Sequence, residues 1–329
     1  QDYSPLPISC FDYKNTRGHL LVAGGSQRYM GAPILSSLSA FHSGVGLVSL
    51  YSDEVVLDKV LSSHPSIMGV RKENLSSLRV GGVLMGPGWG EGKREVIDLY
   101  LSSSLPMVLD ADAIKLVKKE DRFGFRAVLT PHMGEYRRLL SNLGLEEDDF
   151  LTTLKKVAKT LECVILVKSS VVWITDGNES FVWDGSNPAL GVAGSGDVLS
   201  GIIGAFIAHG EKPLSAAMNG VILHQTSGRK AAEALGYFTS EDLIEEVGRI
   251  RCSSALYFPF SISFFPPCFF CKTGTGFSFP PFFVFHHFSG RTGRLWAYLL
   301  PQGSCLSLCW PFSLFLLVPW SWETLFPYL

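Results

Sequence analysis

Acidic residues almost vanish after Arg251: in the rest of this 329-residue chain only Glu323 carries a carboxylate. Before that point the shortage is of cysteine, with Cys10 and Cys163 alone, as in proteins of a reducing compartment; a cytoplasmic location is expected. Charge of one sign is also missing. With 28 Lys and Arg against 30 Asp and Glu, the net charge of -2 leaves no field that would draw the chain to nucleic acid or to an anionic membrane. Pro interrupts every apolar stretch of the tail, so no window reaches the ~20 residues that cross a bilayer and no membrane span is expected. No charged segment followed by an apolar run stands after Gln1, so no secretory leader is expected, and the absent Met suggests a start within a gene or after processing.

The composition breaks near residue 250. Residues 1–250 mix Gly, Ala, Val, Leu, Asp and Glu in ordinary proportions and are expected to form one α/β domain, while 251–329 are rich in Phe, Pro and Cys. Neither helical period nor alternation runs through that tail. It is expected not to be a folded domain, but an aberrant translation product; a membrane-surface anchor and a partner-binding tail are the alternatives. Cys268 and Cys271 have the spacing of half a zinc or redox site, but Cys305 and Cys309 are spaced differently, so no metal ligands are assigned.

Within 1–250, short apolar runs end in turn residues and give way to helical spacing. Strands are expected at His19–Ala23, 46–51, 80–85, Met107–Leu109, Ala127–Leu129 and 164–167, with helices at 32–41, 134–140 and 154–161 among them. Alternating strands and helices predict a three-layer α/β/α fold with a mainly parallel central sheet, whose ligands sit at the carboxyl ends of the strands. The runs 171–175 and 180–183, joined through Asp176 and Gly177, read as a hairpin. Three helices then follow, at 197–209, 214–233 and 240–250.

The segment from Asn187 to Phe206 carries the strongest chemistry. Gly194, Ser195 and Gly196 let backbone N–H groups turn toward a ligand, and a helix starting near Val198 aims its unpaired N–H groups at the same point. That is a cradle for phosphate or an oxyanion. Asp197 at its entrance can cap the helix or take a proton from a hydroxyl that attacks a phosphoryl group. Four further Gly-rich or acidic loops stand at strand ends: Gly24 to Ser26, Gly86 to Gly90, Asp110 to Asp112 and Thr130 to Glu135. Lys168 to Ser170 make a fifth. In a doubly wound sheet all would converge on one edge.

In this order the motifs resemble the ADP- or ATP-dependent NAD(P)H-hydrate dehydratases of the ribokinase-like superfamily. The resemblance rests on Gly18 to Ser26, Gly31 to Pro33, Ser43 to Val48, Gly86 to Gly88, Leu109 to Ala113, Leu129 to Glu135 and Gly194 to Leu199, and nothing after about residue 250 takes part. It implies dehydration of NADHX and NADPHX, with adenine nucleotide phosphorylating the hydroxyl so that it leaves as phosphate. ADP is expected over ATP from the Thr130 to Glu135 run, and Mg2+ is implied as the companion of the nucleotide. Asp197 matches the family's catalytic base. Ala32, Gly88, His132 and Asp197 match positions that contact the hydrate, and Lys168, Ser169, Ser170, Val171 and Val172 match the stretch that lines the nucleotide, with Gly194, Ser195 and Gly196 stabilising the transferring phosphoryl group. The family also implies self-association as a homo-oligomer, and raises an epimerase domain before Gln1 as a missing partner.

Each position also has a plainer reading: close packing for Ala32, a tight turn for Gly88, a surface role for His132, a solvated amine for Lys168. Asp110 and Asp112 approach a cation or cap the next helix; His224 reads as packing. The chain departs from the family where Ser169 replaces Gly, which could narrow the nucleotide loop, and where Val192 and Ala193 replace Thr-Gly before the cradle. Two rival functions remain at this point: a small-molecule kinase acting on a vitamin-precursor alcohol, and a nucleotide-binding protein without catalysis.

Overall fold

The computed structural model describes residues 6, 11–90, 93–185 and 187–255, together with two short strands, Phe285–Phe288 and Leu295–Tyr298. The chain divides into two compact units, Gln1–Tyr257 and Phe258–Leu329. In the second, the two short strands pair antiparallel, His287 opposite Trp296. The expectation that residues 251–329 form no folded domain, and the cysteine pairs at 268/271 and 305/309, fall almost wholly outside the described residues.

The first unit is built on a nine-stranded sheet: β1 (His19–Ala23), β2 (Leu47–Tyr51), β3 (Met68–Val70), β4 (Gly82–Met85), β5 (Met107–Leu109), β6 (Ala127–Leu129), β7 (Val164–Lys168), β8 (Val172–Thr175) and β9 (Ser180–Trp183). Their order is β3-β2-β1-β4-β5-β6-β7-β8-β9. The seven strands from β3 to β7 run parallel, and β8 and β9 add an antiparallel hairpin at one edge. This is the mainly parallel α/β/α architecture expected from the sequence. The hairpin turns through Asp176, whose carboxylate accepts from the amides of Asn178 and Glu179, both at 2.8 Å, while Gly177 takes φ +93°.

Strand residues are apolar on both faces because both faces are covered. Leu20, Val22, Leu84, Val108 and Val128 face one core, which is closed by α1 (Gly31–His42), α2 (Glu54–Ser63), α7 (Ser195–Ala208), α8 (Pro213–Leu235) and α9 (Ser240–Ala255). Leu21, Ala23, Val83, Met85, Leu109 and Leu129 face the other. There α3 (Arg94–Leu101), α4 (Asp112–Lys115), α5 (Met133–Leu143) and α6 (Phe150–Leu161) lie over them. The sequence reading passed over α2, β3 and α3, and gave the helix after Asp112, α4, no bounds. The sheet order reverses between β1, which leads toward β2 and β3, and β4, which leads toward β5, so the loops after β1 and β4 flank a crevice at the carboxyl edge.

Candidate active site

Backbone constraints fix the loops of this edge before any side chain is considered. Gly25 donates to the carbonyl of Pro87 at 2.8 Å, which binds the loop after β1 to the loop after β4. Gly88 takes φ +63°, and a Cβ there would stand 2.6 Å from the Tyr29 carbonyl and 3.0 Å from Ala32 Cβ. Only glycine fits, and Ala32 at the start of α1 packs directly against it. These two predicted positions are brought together.

The Thr130 to Glu135 run folds as the entry to α5. His132 is its N-cap: Nδ1 accepts from the amides of Gly134 (2.9 Å) and Glu135 (3.3 Å), while Glu135 Oε2 accepts from the His132 amide at 3.0 Å, a reciprocal capping box. A parallel bridge joins His132 to Lys168, and the Lys168 amide donates to the Pro131 carbonyl at 2.8 Å. The predicted hydrate contact therefore stands beside the predicted nucleotide lysine. Its ring also has a structural task that the sequence reading did not give it.

Asp197 differs from one of its two sequence readings. The helix α7 begins at Ser195, not near Val198, and its N-cap is Gly194 in the left-handed region at φ +91° with no side-chain cap. Asp197 is thus the third helical residue and caps nothing. Its backbone carbonyl is held by the hydroxyls of Ser36 on α1 (3.1 Å) and Ser200 (3.0 Å), leaving the carboxylate without a hydrogen bond among the described residues. Burial, and then the charge of Asp110, push that carboxyl up to about 7; Lys168 opposes the rise and Glu135 adds to it. An acid that changes charge near neutrality is suited to pick up a proton there.

Lys168 leaves the end of β7 and reaches Asp110 at the end of β5, Nζ to Oδ1 2.8 Å. Burial pulls its ammonium down, but the charge and hydrogen bond of Asp110, with Glu135 and Asp197 behind them, outweigh it and leave the pKa raised. A Cβ on Gly196 would lie 3.3 Å from this ammonium, so Nζ sits over the first turn of α7. Neither aspartate of the 110–112 loop caps α4. Asp112 Oδ2 accepts from the Gly90 amide at 2.8 Å, and the α4 N-cap, Ala111, has no side-chain cap.

A cleft of about 470 Å³ opens beside these groups. Lys168, Ser169, Ser170 and Val172 form one wall; Ser195, Gly196 and Leu199 of α7, with Val221, His224 and Gln225 of α8, form the other. Of the predicted nucleotide stretch, Val171 and Gly194 do not line it. The Ser169 hydroxyl turns onto the Val171 carbonyl at 2.5 Å, and its φ is not positive, so serine fits the loop without strain. Val192 and Ala193 likewise need no left-handed backbone, and Ser240 fixes the Ala193 carbonyl at 2.7 Å. His224, read from the sequence as packing, is a buried cleft residue bonded to the Ser195 carbonyl. The role of Thr130, which donates to Asp110 Oδ1 at 2.7 Å, was not seen either. Its place within the Thr-Pro-His run was the only signal.

Comparison with protein families matches residues 20–249 to the NAD(P)H-hydrate dehydratases. The chain belongs to that family. The match ends where the composition breaks. A bifunctional NAD(P)H-hydrate repair enzyme of Pyrobaculum aerophilum is 34% identical over 259 residues, covering 72% of this chain and 51% of that protein. The ADP-dependent (S)-NAD(P)H-hydrate dehydratase of Nitrosopumilus maritimus is 28% identical, covering 72% of this chain and 89% of that one. This NAD(P)H-hydrate dehydratase family chain spans about half the length of the bifunctional relatives it matches. Among solved structures, the ADP/ATP-dependent NAD(P)H-hydrate dehydratase of Bacillus subtilis, co-crystallised with ATP and Mg2+, superposes with a TM-score of 0.67 at 24% identity over 76% of this chain and 94% of that one. A ribokinase-like superfamily protein of Enterococcus faecalis gives 0.68, also at 24% identity, over 75% of this chain and 91% of that one. The ribokinase-like fold is thereby shown.

Proposed function

We propose that the chain dehydrates NADHX and NADPHX to NADH and NADPH at the expense of an adenine nucleotide, ADP in preference to ATP. The observation that carries this reading is the isolated Asp197 carboxylate, poised near neutrality in the first turn of α7 and within the field of Lys168. Water cannot leave C6 of the hydrated ring directly, because hydroxide is a poor leaving group. Asp197 takes the proton of the hydroxyl, whose oxygen attacks the terminal phosphoryl group of the nucleotide in the cleft. The new phosphate ester then breaks at its C–O bond, the ring nitrogen supplying the electron pair; inorganic phosphate departs, and the resulting iminium releases a proton from C5 to solvent, which forms the C5=C6 double bond of the dihydropyridine.

On this reading the amides of the Gly194 to Gly196 turn and the Lys168 ammonium meet the charge that builds up on the transferring group, with the Gly196 amide the one beside Lys168 and the Ser195 amide donating to the Val192 carbonyl at 3.3 Å. Lys168, Ser169, Ser170, Val171 and Val172 are assigned to the nucleotide, and Ala32, Gly88 and His132 to the hydrate. Among the described residues no three His, Cys, Asp or Glu side chains gather as a ready-made cation site. Mg2+ is therefore assigned to the nucleotide phosphates and no step is routed through it.

On this reading the chain works in the cytoplasm, in keeping with the free, buried Cys163; among the described residues no helix is long and apolar enough to cross a membrane. A separate epimerase activity would supply the reactive epimer, and self-association is part of the proposal. The test is a single assay of the purified chain with NADHX and either ADP or ATP. Return of NADH absorbance with stoichiometric free phosphate is expected; a stable phosphoester would instead identify a kinase, and no turnover with retained nucleotide binding a non-catalytic protein.

A further inference from the structure

One buried carboxylate of the site has no part in that scheme. Asp110 is 2% exposed, and its Oδ1 takes both the Lys168 ammonium and the Thr130 hydroxyl. Its backbone is fixed from three sides. The Asp110 amide donates to the Met85 carbonyl at 3.0 Å, its carbonyl accepts from the Ala113 amide at 3.1 Å, and a Cβ on Gly86 would fall 1.9 Å from that carbonyl. The next residue, Ala111, is held at φ 47°, ψ -116°, a conformation that side chains avoid. Strain of this kind persists only where surrounding structure enforces it, and it collects at functional sites.

Lys168 uses one N–H on Asp110, and no other acceptor takes its Nζ among the described residues. Its remaining N–H groups are on the ammonium that lines the cleft and sits over Gly196. A free lysine would waste rotamer entropy in reaching that spot; a lysine tethered at 2.8 Å to a buried carboxylate has already lost it.

We propose that Asp110, braced by Thr130, is a positioning residue that holds the Lys168 ammonium over the first turn of α7 for the phosphoryl group of the bound nucleotide. Asp110 acts through Lys168 and does not touch the ligand. The substrate in this inference rests on the dehydratase reading; the tether does not.

The test is a cycle of Asp110→Asn, Lys168→Met and the double variant in the full chain, with ADP affinity from calorimetry and kcat from NADHX turnover. Asp110→Asn is expected to weaken ADP roughly 10-fold and to lower kcat roughly 100-fold through misplacement of the charge. Neither loss should reappear when Asp110→Asn is added to Lys168→Met. Five charged or titratable groups meet here: Asp110, Lys168, Glu135 from α5, Asp197 from α7 and His224 from α8. The Asp110 charge raises Asp197 and Lys168 lowers it, so any ionised carboxylate here would move the acid limb of the pH–rate profile; what a purely structural carboxylate would not produce is ADP and kcat losses that vanish once Lys168 is replaced. Thr130→Val, which leaves the carboxylate and its neutralising lysine in place, should show the same kcat and ADP losses in smaller measure if Asp110→Asn does not fold. Losses that add to those of Lys168→Met, or an Asp110→Asn enzyme with unaltered ADP affinity and kcat, would overturn the proposal. If the unaltered chain does not turn over NADHX, the dehydratase reading falls, and the ADP titrations of the same cycle still decide the tether.

Discussion

His224 Nε2 stands 3.0 Å from the carbonyl oxygen of Ser195, joining the middle of α8 to the first turn of α7. A carbonyl only accepts, so Nε2 carries the proton, and burial pushes the imidazole down to about 4, which keeps it neutral. Holding that carbonyl fixes the Ser195–Gly196 peptide plane and with it the direction of the Gly196 N–H. His224→Leu removes the donor and is expected to weaken ADP binding about 10-fold, the worth of one net hydrogen bond near a charged ligand. His224→Gln keeps a donor and should stay within roughly 3-fold, and calorimetric titration of both variants compares them.

The same histidine opposes Asp197 in the dependence of stability on pH. Between about pH 4 and 6.5 folded His224 lacks a proton that the unfolded chain binds, so it makes stability rise with pH. Over that interval folded Asp197 keeps a proton that the unfolded chain has released, so it makes stability fall with pH. The two slopes, each up to about 1.4 kcal/mol per pH unit, oppose one another. Asp197→Asn should therefore leave a steeper rise between pH 4 and 6.5, and His224→Gln a fall that continues to about pH 7. Urea midpoints at four or five pH values would show both changes; parallel profiles for all three proteins would refute the coupling.

On the proposed mechanism Asp197 acts in its ionised form, so kcat/KM should climb through about pH 7 and level off above it. Asp197→Asn should lose roughly 10²- to 10⁴-fold in kcat, the usual worth of a general base, while ADP affinity changes little. A kcat within 10-fold of the unaltered chain would remove Asp197 from the role of base.

The sheet was legible because β1, β5 and β6 are short apolar runs that stop at Gly, Asp or Thr, and burial on both faces lets every position be apolar. The elements missed or left without bounds lack such marks. The helix α4 is four residues long, β3 is the three-residue Met68–Val70 with two exposed positions, and no side chain caps α2 or α3. The cradle was legible from Gly194 to Gly196, but its helix was placed three residues late because Asp197 looks like a cap, whereas Gly194 does that work through a left-handed backbone. Lys168 was found through its motif. Asp110 and Thr130 were picked out in their own loops, but their pairing with Lys168 was not, since the three meet only where β5, β6 and β7 lie side by side. Long-range pairing of this kind leaves no local pattern in the chain.

Ala111 offers a last check on how the site is held. At φ 47° and ψ -116° it occupies a conformation costing about 1–3 kcal/mol for a residue with a Cβ. Glycine removes that strain and adds about 0.5–1 kcal/mol of backbone entropy to be lost on folding. The turn has other anchors: the Asp110 amide on Met85, the Ala113 amide on Asp110, and the Gly90 amide on Asp112. These should keep both carboxylates in place when the side chain is removed. Ala111→Gly is therefore expected to stabilise the fold by about 1 kcal/mol, the difference between the two terms, and to leave kcat within roughly 3-fold. Urea unfolding and NADHX turnover measure the two outcomes. A lower unfolding midpoint would show that the turn relies on the Ala111 side chain, and a stabilised protein with a much lower kcat would show that the strain itself aims Asp110 at Lys168.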